Sequence, residues 1–410
     1  MGKVLNFVNK VVIMSDIRLS VAELISLLPP SLLSEIADEL EVDKWAKKLT
    51  AESVFKLILF SLLKHDELSL RRLQENFKDV QYRLLVPALT SDTVSWTAIR
   101  DRLMVIDVSY FEQLYEHVYT QISKCYSQKA LSKYNLKRYD STMVAVSAHL
   151  LDGIEVGNST KKHQLKLTTE FKNDCLLSVK VFSDQDYLSE ETALQEVIFA
   201  EADLFEDEQI IVFDSGLKSR ETLSSFDHIG LFFVTRAMKA PRFVPVGEPS
   251  NIQGQCSDEI EITADQAVYL YRSGHNLVEH KFRLVQGKSK ASQQTIFFLT
   301  NIWHLSALEV AQIYRRRWDI EVLFRFLKQE MNLSHFVCYD PNAIQVLIYC
   351  KLILAMLILI YKRKNKIKSY QQAKNRFFGE LIAFVLLETI NDPAALQRLK
   401  ENLEKYANSA

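Results

Sequence analysis

The spacing of apolar residues changes near residue 136, and this change constrains the fold more than any other feature of the chain. From about residue 18 to 130, apolar residues recur every three or four positions, as Val54, Leu57, Ile58 and Leu62 do, which predicts helices. Three segments then alternate with a period of two, which predicts three successive strands: KRYDSTMVAVSA, HQLKLTTEF and CLLSVKVFS. The 410 residues therefore form more than one structural unit, as their number also suggests, since domains average about 150 residues.

Helices and strands alternate after these three strands. They are a helix in SEETALQEVIFAEADLF, a strand in QIIVFDSG, a helix in SRETLSSF and a strand in LFFVTRA. The order β-β-β-α-β-α-β predicts a hairpin meander that leads into right-handed parallel crossovers.

The remainder of the chain is predicted to be first β-rich and then helical. Residues 238–295 hold three prolines among the strand-like runs EIEITA, AVYLYR and KFRLVQ, which predicts a β-rich insertion. TIFFLTN is then a strand, and one long helix is expected to follow from about residue 306 to 331. Residues 343–407 are again helical in pattern.

Basic residues mark two short helical segments of the N-terminal region. SLRRLQENF and SWTAIRDRLMVI would form a helix-turn-helix with Ser95 as an N-cap, presenting Arg71, Arg72, Arg100 and Arg102. A solvated basic face accounts for the same pattern equally well. Similarly, Lys161, Lys162 and Lys166 either line a path for DNA or face solvent.

Cysteine usage and hydropathy exclude several classes of protein. The five cysteines are scattered without a C-x-x-C pair, so neither a disulfide framework nor a cysteine-based zinc site is predicted, and a reducing cytosol fits best. Residues 346–361 are strongly apolar, but they fall short of the roughly 18 residues that a membrane helix needs and include Lys351. A buried helix is predicted there.

Opposed charge patches make up the nearly neutral total. Fifty Lys and Arg against 51 Asp and Glu give a formal charge of −1, which argues against a uniformly basic nucleic-acid binder. Ten acidic residues lie between positions 184 and 208, whereas positions 361–376 hold seven basic residues and no acidic one. The charge therefore predicts which surface DNA would avoid, without excluding DNA binding.

Four polar residues of the predicted long helix fall on one stripe. At about 100° per residue, Tyr314, Arg317, Glu321 and Lys328 lie within about 60° of one another, and Trp318 is expected to pack beside them. In one interpretation, Arg317 and Glu321 form an i,i+4 ion pair on a solvated face. In the other, Glu321 binds a metal ion within a row of phosphate contacts.

Two aspartates favour the second interpretation. Asp140 lies inside the first strand, where Asp is disfavoured unless something compensates its charge, and Asp214 ends the fourth strand. Because these strands are neighbours in a sheet of this order, both aspartates and Glu321 are expected to converge at its carboxyl edge. Three carboxylates repel one another unless divalent cations lie between them, and hard oxygen ligands select Mg²⁺ or Mn²⁺. Two such ions bridging one phosphate would support phosphodiester chemistry.

The same residues carry a resemblance to a known family. Tyr314, Arg317, Glu321 and Lys328 match the pattern Tyr-x2-Arg-x3-Glu-x6-Lys without a gap, and RYDST and FDSG resemble the blocks around two catalytic aspartates. Over roughly residues 20–360 the chain resembles a DDE transposase of bacterial insertion sequences, in the branch called insertion-sequence family four.

The resemblance implies an α/β fold whose core is a ribonuclease-H-like mixed sheet with a β-rich insertion, flanked by all-helical N- and C-terminal regions. It implies that three residues are catalytic and bind two Mg²⁺ ions, which Mn²⁺ can replace: Asp140, Asp214 and Glu321. The DNA contacts that it implies are Tyr314, Arg317, Lys328 and Arg325. The implied activity is cut-and-paste transposition, with nicking at the element's end, a hairpin intermediate and strand transfer to target DNA.

Partners and regions follow from the same resemblance. The expected partners are the element's terminal inverted repeats, target DNA and a second copy of the chain, with no membrane, in the bacterial cytoplasm at the nucleoid. The expected regions are a DNA-end-binding helical region at 1–130, the core at 131–237 and 296–340, the insertion at 238–295, and a helical dimerisation region at 341–410. Residues 346–361 would supply the dimer contact.

Two positions depart from the family pattern. Ser215 stands where many relatives have Arg, which removes a phosphate contact, and Ile296 stands where the best-known members have a base-stacking Trp. Phe297 and Phe298 are neighbouring aromatic residues, for which packing in the strand is the expected use. Two rival functions remain open, a metal-dependent nuclease that cuts without joining and a catalytically idle DNA-binding repressor.

Overall fold

The computed structural model describes residues 18–87, 89, 91, 93–126, 134–145, 154–155, 163–172, 175–182, 184–200, 205–206, 208–237, 239–252, 255–272, 276–332 and 335–407. The chain divides into two compact units. The helical unit comprises Met1–Ser127 with Gln329–Ala410, and the sheet unit comprises Gln128–Lys328.

The helices are α1 (Val21–Ile25), α2 (Pro30–Glu39), α3 (Ala51–Lys64), α4 (Leu70–Phe77), α5 (Val80–Leu85), α6 (Trp96–Val105), α7 (Val108–Tyr126), α8 (Glu190–Ala200), α9 (Arg220–His228), α10 (Ala307–Arg315), α11 (Trp318–Glu330), α12 (Pro341–Lys364), α13 (Tyr370–Asn391) and α14 (Pro393–Ala407). The strands are β1 (Leu136–Ala145), β2 (Ile154–Glu155), β3 (His163–Lys172), β4 (Cys175–Phe182), β5 (Ile210–Phe213), β6 (Phe232–Ala237), β7 (Phe243–Val246), β8 (Ile260–Leu270), β9 (Phe282–Ser289) and β10 (Thr295–Thr300).

Hydroxyl side chains fix where several helices of the helical unit begin. Thr50, Ser69 and Ser95 each accept a hydrogen bond from the backbone N–H three residues further on, which satisfies an amide that the first turn leaves unpaired. The prediction that Ser95 is an N-cap is thereby confirmed.

Arg102 does not belong to an exposed basic face. Its guanidinium donates to the backbone oxygens of Leu49 and Val42, each at 2.9 Å, and to the carboxylate of Asp43 at 2.8 Å. Both interpretations of the sequence pattern, a helix-turn-helix that presents this side chain to DNA and a solvated basic face, are wrong for Arg102, because three acceptors between Val42 and Leu49 hold it inside the unit. Arg102 is therefore a structural residue.

Helix α12 is the centre of the helical unit and packs against α1, α3, α6, α7 and α13. By length and hydropathy it could cross a bilayer, but 89% of its most apolar window is buried inside the protein, as predicted for a core helix. Because its own unit covers these residues, the expectation that 346–361 supply a dimer contact is wrong.

Lys351 is a buried charge-bearing residue of α12, with 2% of its surface exposed. Its Nζ donates to the backbone oxygens of Asn332 at 2.7 Å and His335 at 2.8 Å. Burial lowers the pKa of Lys351 from 10.5 to about 7. The amine thus ties the backbone of Asn332 and of His335 to the helical core.

Replacing Lys351 by Met is expected to alter the pH dependence of unfolding. The unfolded chain keeps the lysine proton up to about pH 10.5, whereas the folded chain releases it above about pH 7. Between these values the folded form therefore gains stability as the pH rises. In urea titrations from about pH 7 to about pH 10, the free energy of unfolding of the wild type should rise relative to that of Lys351→Met. A constant difference between the two proteins would contradict this prediction.

All ten strands of the described chain form one sheet, in the order β2-β3-β1-β5-β6-β10-β9-β8-β7, with β4 also paired to β3. β1 pairs antiparallel with β3 and parallel with β5, and β5 pairs parallel with β6. A hairpin meander joined to two parallel strands is the order predicted from the sequence, and the ribonuclease-H-like core is confirmed.

The insertion continues this sheet beyond β10. The runs EIEITA and AVYLYR, predicted as two strands, belong to the single strand β8. A register shift between Ile262 and Ala264 marks a β-bulge in its pairing with β9. A bulge inserts one extra residue and so interrupts the regular alternation of inward and outward side chains along the strand. In the sequence, a single strand with such an interruption resembles two shorter strands.

Alternate residues of β5 separate two hydrophobic layers. Ile211 and Phe213 pack with residues of α8 and α9, whereas Ile210 and Val212 pack with residues of α10. Burial on both faces explains the continuous apolar run of this strand. Helix α8, which belongs to the acidic segment of the sequence, thus covers the face of the sheet opposite α10.

Lys166 on β3 is 4% exposed, and its Nζ donates to the backbone oxygen of Leu188 at 2.6 Å. It packs inside the sheet unit and neither lines a DNA path nor faces solvent, because this carbonyl and the cover of the 3-10 helix Gln185–Leu188 satisfy its ammonium. Lys161 and Lys162 lie outside the described residues.

Candidate active site at the carboxyl edge of the parallel strands

The two aspartates occupy equivalent positions relative to the pairing of two neighbouring strands. In the parallel pairing of β1 with β5, Arg138 lies opposite Val212, and Asp140 and Asp214 each follow two residues later. Adjacent strands are about 4.8 Å apart, so both aspartates start from one edge of the sheet. Asp140 is 7% exposed, and its Oδ1 accepts a hydrogen bond from the backbone N–H of Ser141 at 2.8 Å.

The long helix predicted over 306–331 is two helices, α10 and α11, separated by a tight turn. The backbone N–H groups of Arg316 and Arg317 donate to residues three positions earlier, Ile313 at 3.1 Å and Tyr314 at 2.9 Å, which is 3-10 geometry. The side chain of Arg138 donates to the backbone oxygen of Arg316 at 3.1 Å. This contact from β1 satisfies a backbone carbonyl at the turn between the two helices. The prediction of a single helix is therefore wrong, because it could not include a hydrogen bond from a distant strand.

Arg317 lies among the three carboxylates. Its Nη1 donates to Asp140 Oδ2 at 3.1 Å, its Nη2 donates to Glu321 Oε1, and its Nε lies 3.9 Å from Asp214 Oδ1. The side chain of Arg317 is only 10% exposed, so the i,i+4 pair with Glu321 exists but is not on a solvated face. One guanidinium therefore brings together the three acidic residues that the sequence singled out.

The charge of this guanidinium is maintained by its neighbours. Burial acts to lower the pKa of Arg317, but Tyr314 and the Asp214, Glu321 and Asp140 carboxylates outweigh it and raise the pKa above its usual value. An arginine with this many acidic partners stays protonated at any physiological pH.

Tyr314 at the end of α10 is a hydrogen-bond donor to the site. Its hydroxyl donates to Asp214 Oδ1 at 3.0 Å, and its ring lies 5.4 Å from that of Phe298 on β10. Burial and the Asp214 carboxylate raise the pKa of Tyr314, so the phenol remains protonated. Phe298 is 3% exposed and packs in the core, which is the use expected for it.

The other two predicted DNA contacts lie on α11. Lys328 and Arg325 are both exposed. Partial burial lowers the pKa of Lys328, while the Asp140 carboxylate acts in the opposite direction. Lys328 therefore lies within electrostatic reach of the acidic cluster.

A cavity of about 1430 Å³ opens at these residues. Its walls include Asp214, Tyr314, Arg317, Trp318, Glu321 and Arg236. Small-molecule pockets measure about 300–1,000 Å³, so this volume suits a segment of a polymer. Trp318 is 56% exposed here, which corrects the expectation that it packs beside the stripe.

The acidic cluster has the chemistry of a divalent-cation site, and it surrounds the guanidinium of Arg317. Carboxylate oxygens are the ligands that Mg²⁺ and Mn²⁺ prefer. In the part of the chain that the structure describes, no group of three His, Cys, Asp or Glu side chains has the spacing of a bound metal ion. Arg317 supplies positive charge among these carboxylates.

Arg138 and Arg236 are site residues that the sequence patterns did not single out. Arg138 shares a strand face with Asp140, because residues two apart on a strand point the same way. The two-residue repeat of side-chain direction along a strand could therefore have identified Arg138 from the sequence. In the pairing of β5 with β6, Phe213 lies opposite Thr235. Asp214 and Arg236 are the next residues of the two chains, so the register of these strands is what places Arg236 beside Asp214.

Comparison with known proteins identifies the class. A family model described as the transposase DDE domain matches residues 137–357, more than half of the 410 residues, so the chain belongs to the DDE transposase family.

Individual relatives match shorter stretches. A protein named as a transposase in Sinorhizobium fredii is 29% identical over 156 residues, which cover 38% of this chain and 43% of that protein. One named as a transposase for insertion sequence element IS4SA in Synechocystis is 33% identical over 101 residues, which cover 22% of this chain and 28% of that protein. The chain thus spans less than half the length of these relatives. A piggyBac transposase synaptic complex with hairpin DNA, solved by cryo-EM, has a TM-score of 0.44 and 12% identity, over 94% of this chain and 84% of that one.

Proposed function

We propose that this protein is the transposase of an insertion sequence, which cuts DNA at the element's terminal inverted repeats and joins the freed ends to target DNA. The observation that carries the proposal is the convergence of Asp140, Asp214 and Glu321 on the guanidinium of Arg317. Acidic side chains around one cation, at the carboxyl edge of a ribonuclease-H-like sheet, suit metal-dependent phosphodiester chemistry. Membership of the DDE transposase family supports the same class of reaction.

Asp140, Asp214 and Glu321 would hold the divalent cations, two Mg²⁺ ions for which Mn²⁺ can substitute. The chemistry of the donor set fits, since every candidate ligand is a carboxylate oxygen and all three carboxylates surround one cationic side chain. Bound there, such ions would activate a water or a 3′-hydroxyl and stabilise the leaving oxygen. The role of the protein is to hold the carboxylates at one edge, with Asp140 fixed by the Ser141 amide.

Four further residues would contact phosphates beside the acidic cluster. Tyr314 offers a phenol that stays protonated, and Arg317 offers a guanidinium that stays charged. Lys328 and Arg325 extend the positive charge along α11. Together these side chains would position the scissile phosphate without reading its sequence.

Replacing Lys328 by Ala is expected to weaken DNA binding and to reduce its salt dependence. A side chain that neutralises one phosphate contributes about 0.9 to the slope of log K against log salt concentration. That slope should therefore fall by about one unit in Lys328→Ala, measured by fluorescence anisotropy with an element-end duplex. In Lys281→Ala, an exposed lysine over the ring of Trp303, the slope should match that of the wild type. An unchanged slope in Lys328→Ala would show that this residue contacts no phosphate.

The partners of the reaction would be the terminal inverted repeats, target DNA and a second copy of the chain in a synaptic complex. The helices of residues 18–126 would bind the element's end, and the C-terminal helices other than α12 would form the dimer. Exposed apolar side chains on α13, Leu387 and Ile390, are suited to such a contact. A hairpin intermediate would join cleavage to strand transfer.

A cleavage assay separates this function from its two rivals. Element-end duplexes, supercoiled plasmid and Mg²⁺ are incubated with the protein, and the products are resolved on denaturing and native gels. Joined end-plasmid products are expected. Nicked duplexes without joined products would identify a nuclease, and a shifted band without cleavage would identify an idle DNA-binding protein.

A further inference from the structure

A second cavity, of about 470 Å³, lies at the start of α9 and the end of β6 in the sheet unit. We call it the basic cavity, because six of its lining residues are cationic: Lys218, Arg220, Arg236, Lys239, Arg242 and Arg272. No Asp or Glu lines it. Such a concentration of one charge in a depression raises the local concentration of anions.

These cations are largely unneutralised within the described chain. Arg272 forms an ion pair with Glu221 on α9, and Arg242 lies over the ring of Tyr271, 5.0 Å from its centroid. Among the residues that the structure describes, the side chains of Lys218, Arg236 and Lys239 make no hydrogen bond or ion pair.

Arg220 adds a partly desolvated guanidinium to this set. Burial lowers the pKa of Arg220, and no described residue supplies an acidic partner to offset the effect. An unpaired charge removed from water is costly unless an anion joins it. Bidentate recognition by guanidinium groups favours phosphate in particular.

The basic cavity adjoins the cavity at the carboxylates. Ser215 and Arg236 line both of them. Ser215 directly follows Asp214, and Arg236 follows Thr235, which pairs with the last residue of β5. A strand whose phosphate lies at Asp214 would therefore have Arg236 as the nearest cation on the side of the basic cavity.

We propose that the basic cavity binds the sugar-phosphate backbone of the DNA strand that continues from the scissile phosphate. Arg236 lies at the junction, since it lines both the basic cavity and the cavity at the carboxylates. The contacts are assigned to the backbone, because six cations without an acidic neighbour in the lining attract the phosphates, which carry the negative charge of DNA. This assignment rests on the proposed function, since it takes the scissile phosphate to lie at Asp214.

The test compares two double variants of exposed lysines in the same unit. Lys218→Ala/Lys239→Ala removes two cations of the basic cavity, and Lys180→Ala/Lys281→Ala removes two that line neither cavity. With element-end duplex, the first variant should lose about 1.5–2 units of the slope of log K against log salt concentration. The second should keep the slope of the wild type.

Ethylation interference then locates the lost contacts. In the wild type, ethylation of consecutive phosphates on one side of the scissile bond should inhibit binding. In Lys218→Ala/Lys239→Ala this inhibition should weaken on that side alone, because four cations of the cavity remain. Interference and slope that match those of the wild type would overturn the proposal. A second result would also overturn the proposal: the wild type binds pyrophosphate, and Lys218→Ala/Lys239→Ala loses this binding but keeps all its DNA contacts. The basic cavity would then be a site for a small anion.

Failure of the proposed function gives a different result. If the wild-type protein neither binds nor cuts element ends, the proposed function is refuted. If the wild-type protein cuts normally but replacing the lysines of the basic cavity removes no DNA contact, only this assignment is refuted.

Discussion

Asp140→Asn is expected to lower the rate of DNA cleavage by at least about a hundredfold while leaving end binding nearly unchanged. The change removes the charge that a divalent cation needs and keeps the size of the side chain, and loss of such a ligand costs several kcal/mol of transition-state stabilisation. An amide oxygen can still accept the hydrogen bond of the Ser141 backbone N–H, so the strand should not be disturbed.

Single-turnover cleavage of an end duplex in Mg²⁺ measures this effect, with anisotropy titration as the control for binding. Asp186→Asn, an exposed carboxylate of the same unit, should cut at the wild-type rate. Cleavage by Asp140→Asn at that rate would remove Asp140 from the catalytic site. Loss of binding together with cleavage would instead indicate a folding defect.

Arg283→Met is expected to destabilise the sheet unit by about 3–5 kcal/mol, because it leaves a buried carboxylate without its partner. Arg283 on β9 donates to both oxygens of Asp265 on β8, at 2.9 and 2.7 Å, and the two side chains are 8% and 2% exposed. It also donates to the backbone oxygens of Ile302 and Leu305, ahead of α10. The insertion thereby holds the segment from which the helix of Tyr314 begins.

Urea unfolding followed by circular dichroism measures this loss. The double variant Arg283→Met/Asp265→Leu should recover much of the stability, since no unpaired charge then remains buried. Lys180→Met, which breaks the exposed pair with Glu196, should change the free energy of unfolding by no more than about 1 kcal/mol. A loss in Arg283→Met as small as that would contradict the buried-pair argument.

The strands and the acidic residues could be predicted from the sequence, because they depend on short-range patterns. Alternation revealed β1, β3 and β4, and the continuous apolar run of β5 revealed a strand covered on both faces. A carboxylate inside a strand pattern is unusual enough to mark Asp140 by itself.

The features that escaped prediction are those that depend on distant contacts. The sequence pattern predicts that Lys166 lines a DNA path or faces solvent, yet the backbone oxygen of Leu188 holds its ammonium inside the sheet unit. Lys351 lies in the helix that the sequence predicts to be buried, but no local pattern indicates that the backbone oxygens of Asn332 and His335 accept from its Nζ. Arg236 joins the site only through the pairing of β5 with β6. Tertiary hydrogen bonds decide these cases, and no local pattern records them.

The turn between α10 and α11 has a consequence for how this chain can vary. Tyr314 belongs to α10 and Glu321 to α11. The number of residues in the turn between these helices therefore determines how the two side chains are oriented relative to each other. One residue inserted there would rotate α11 by about 100° about its axis and carry Glu321 away from Asp140. Substitutions at Arg316, whose backbone oxygen makes the contact with Arg138, would be far less harmful. Length polymorphism should therefore be absent at this turn in functional copies of the gene, even where its side chains differ.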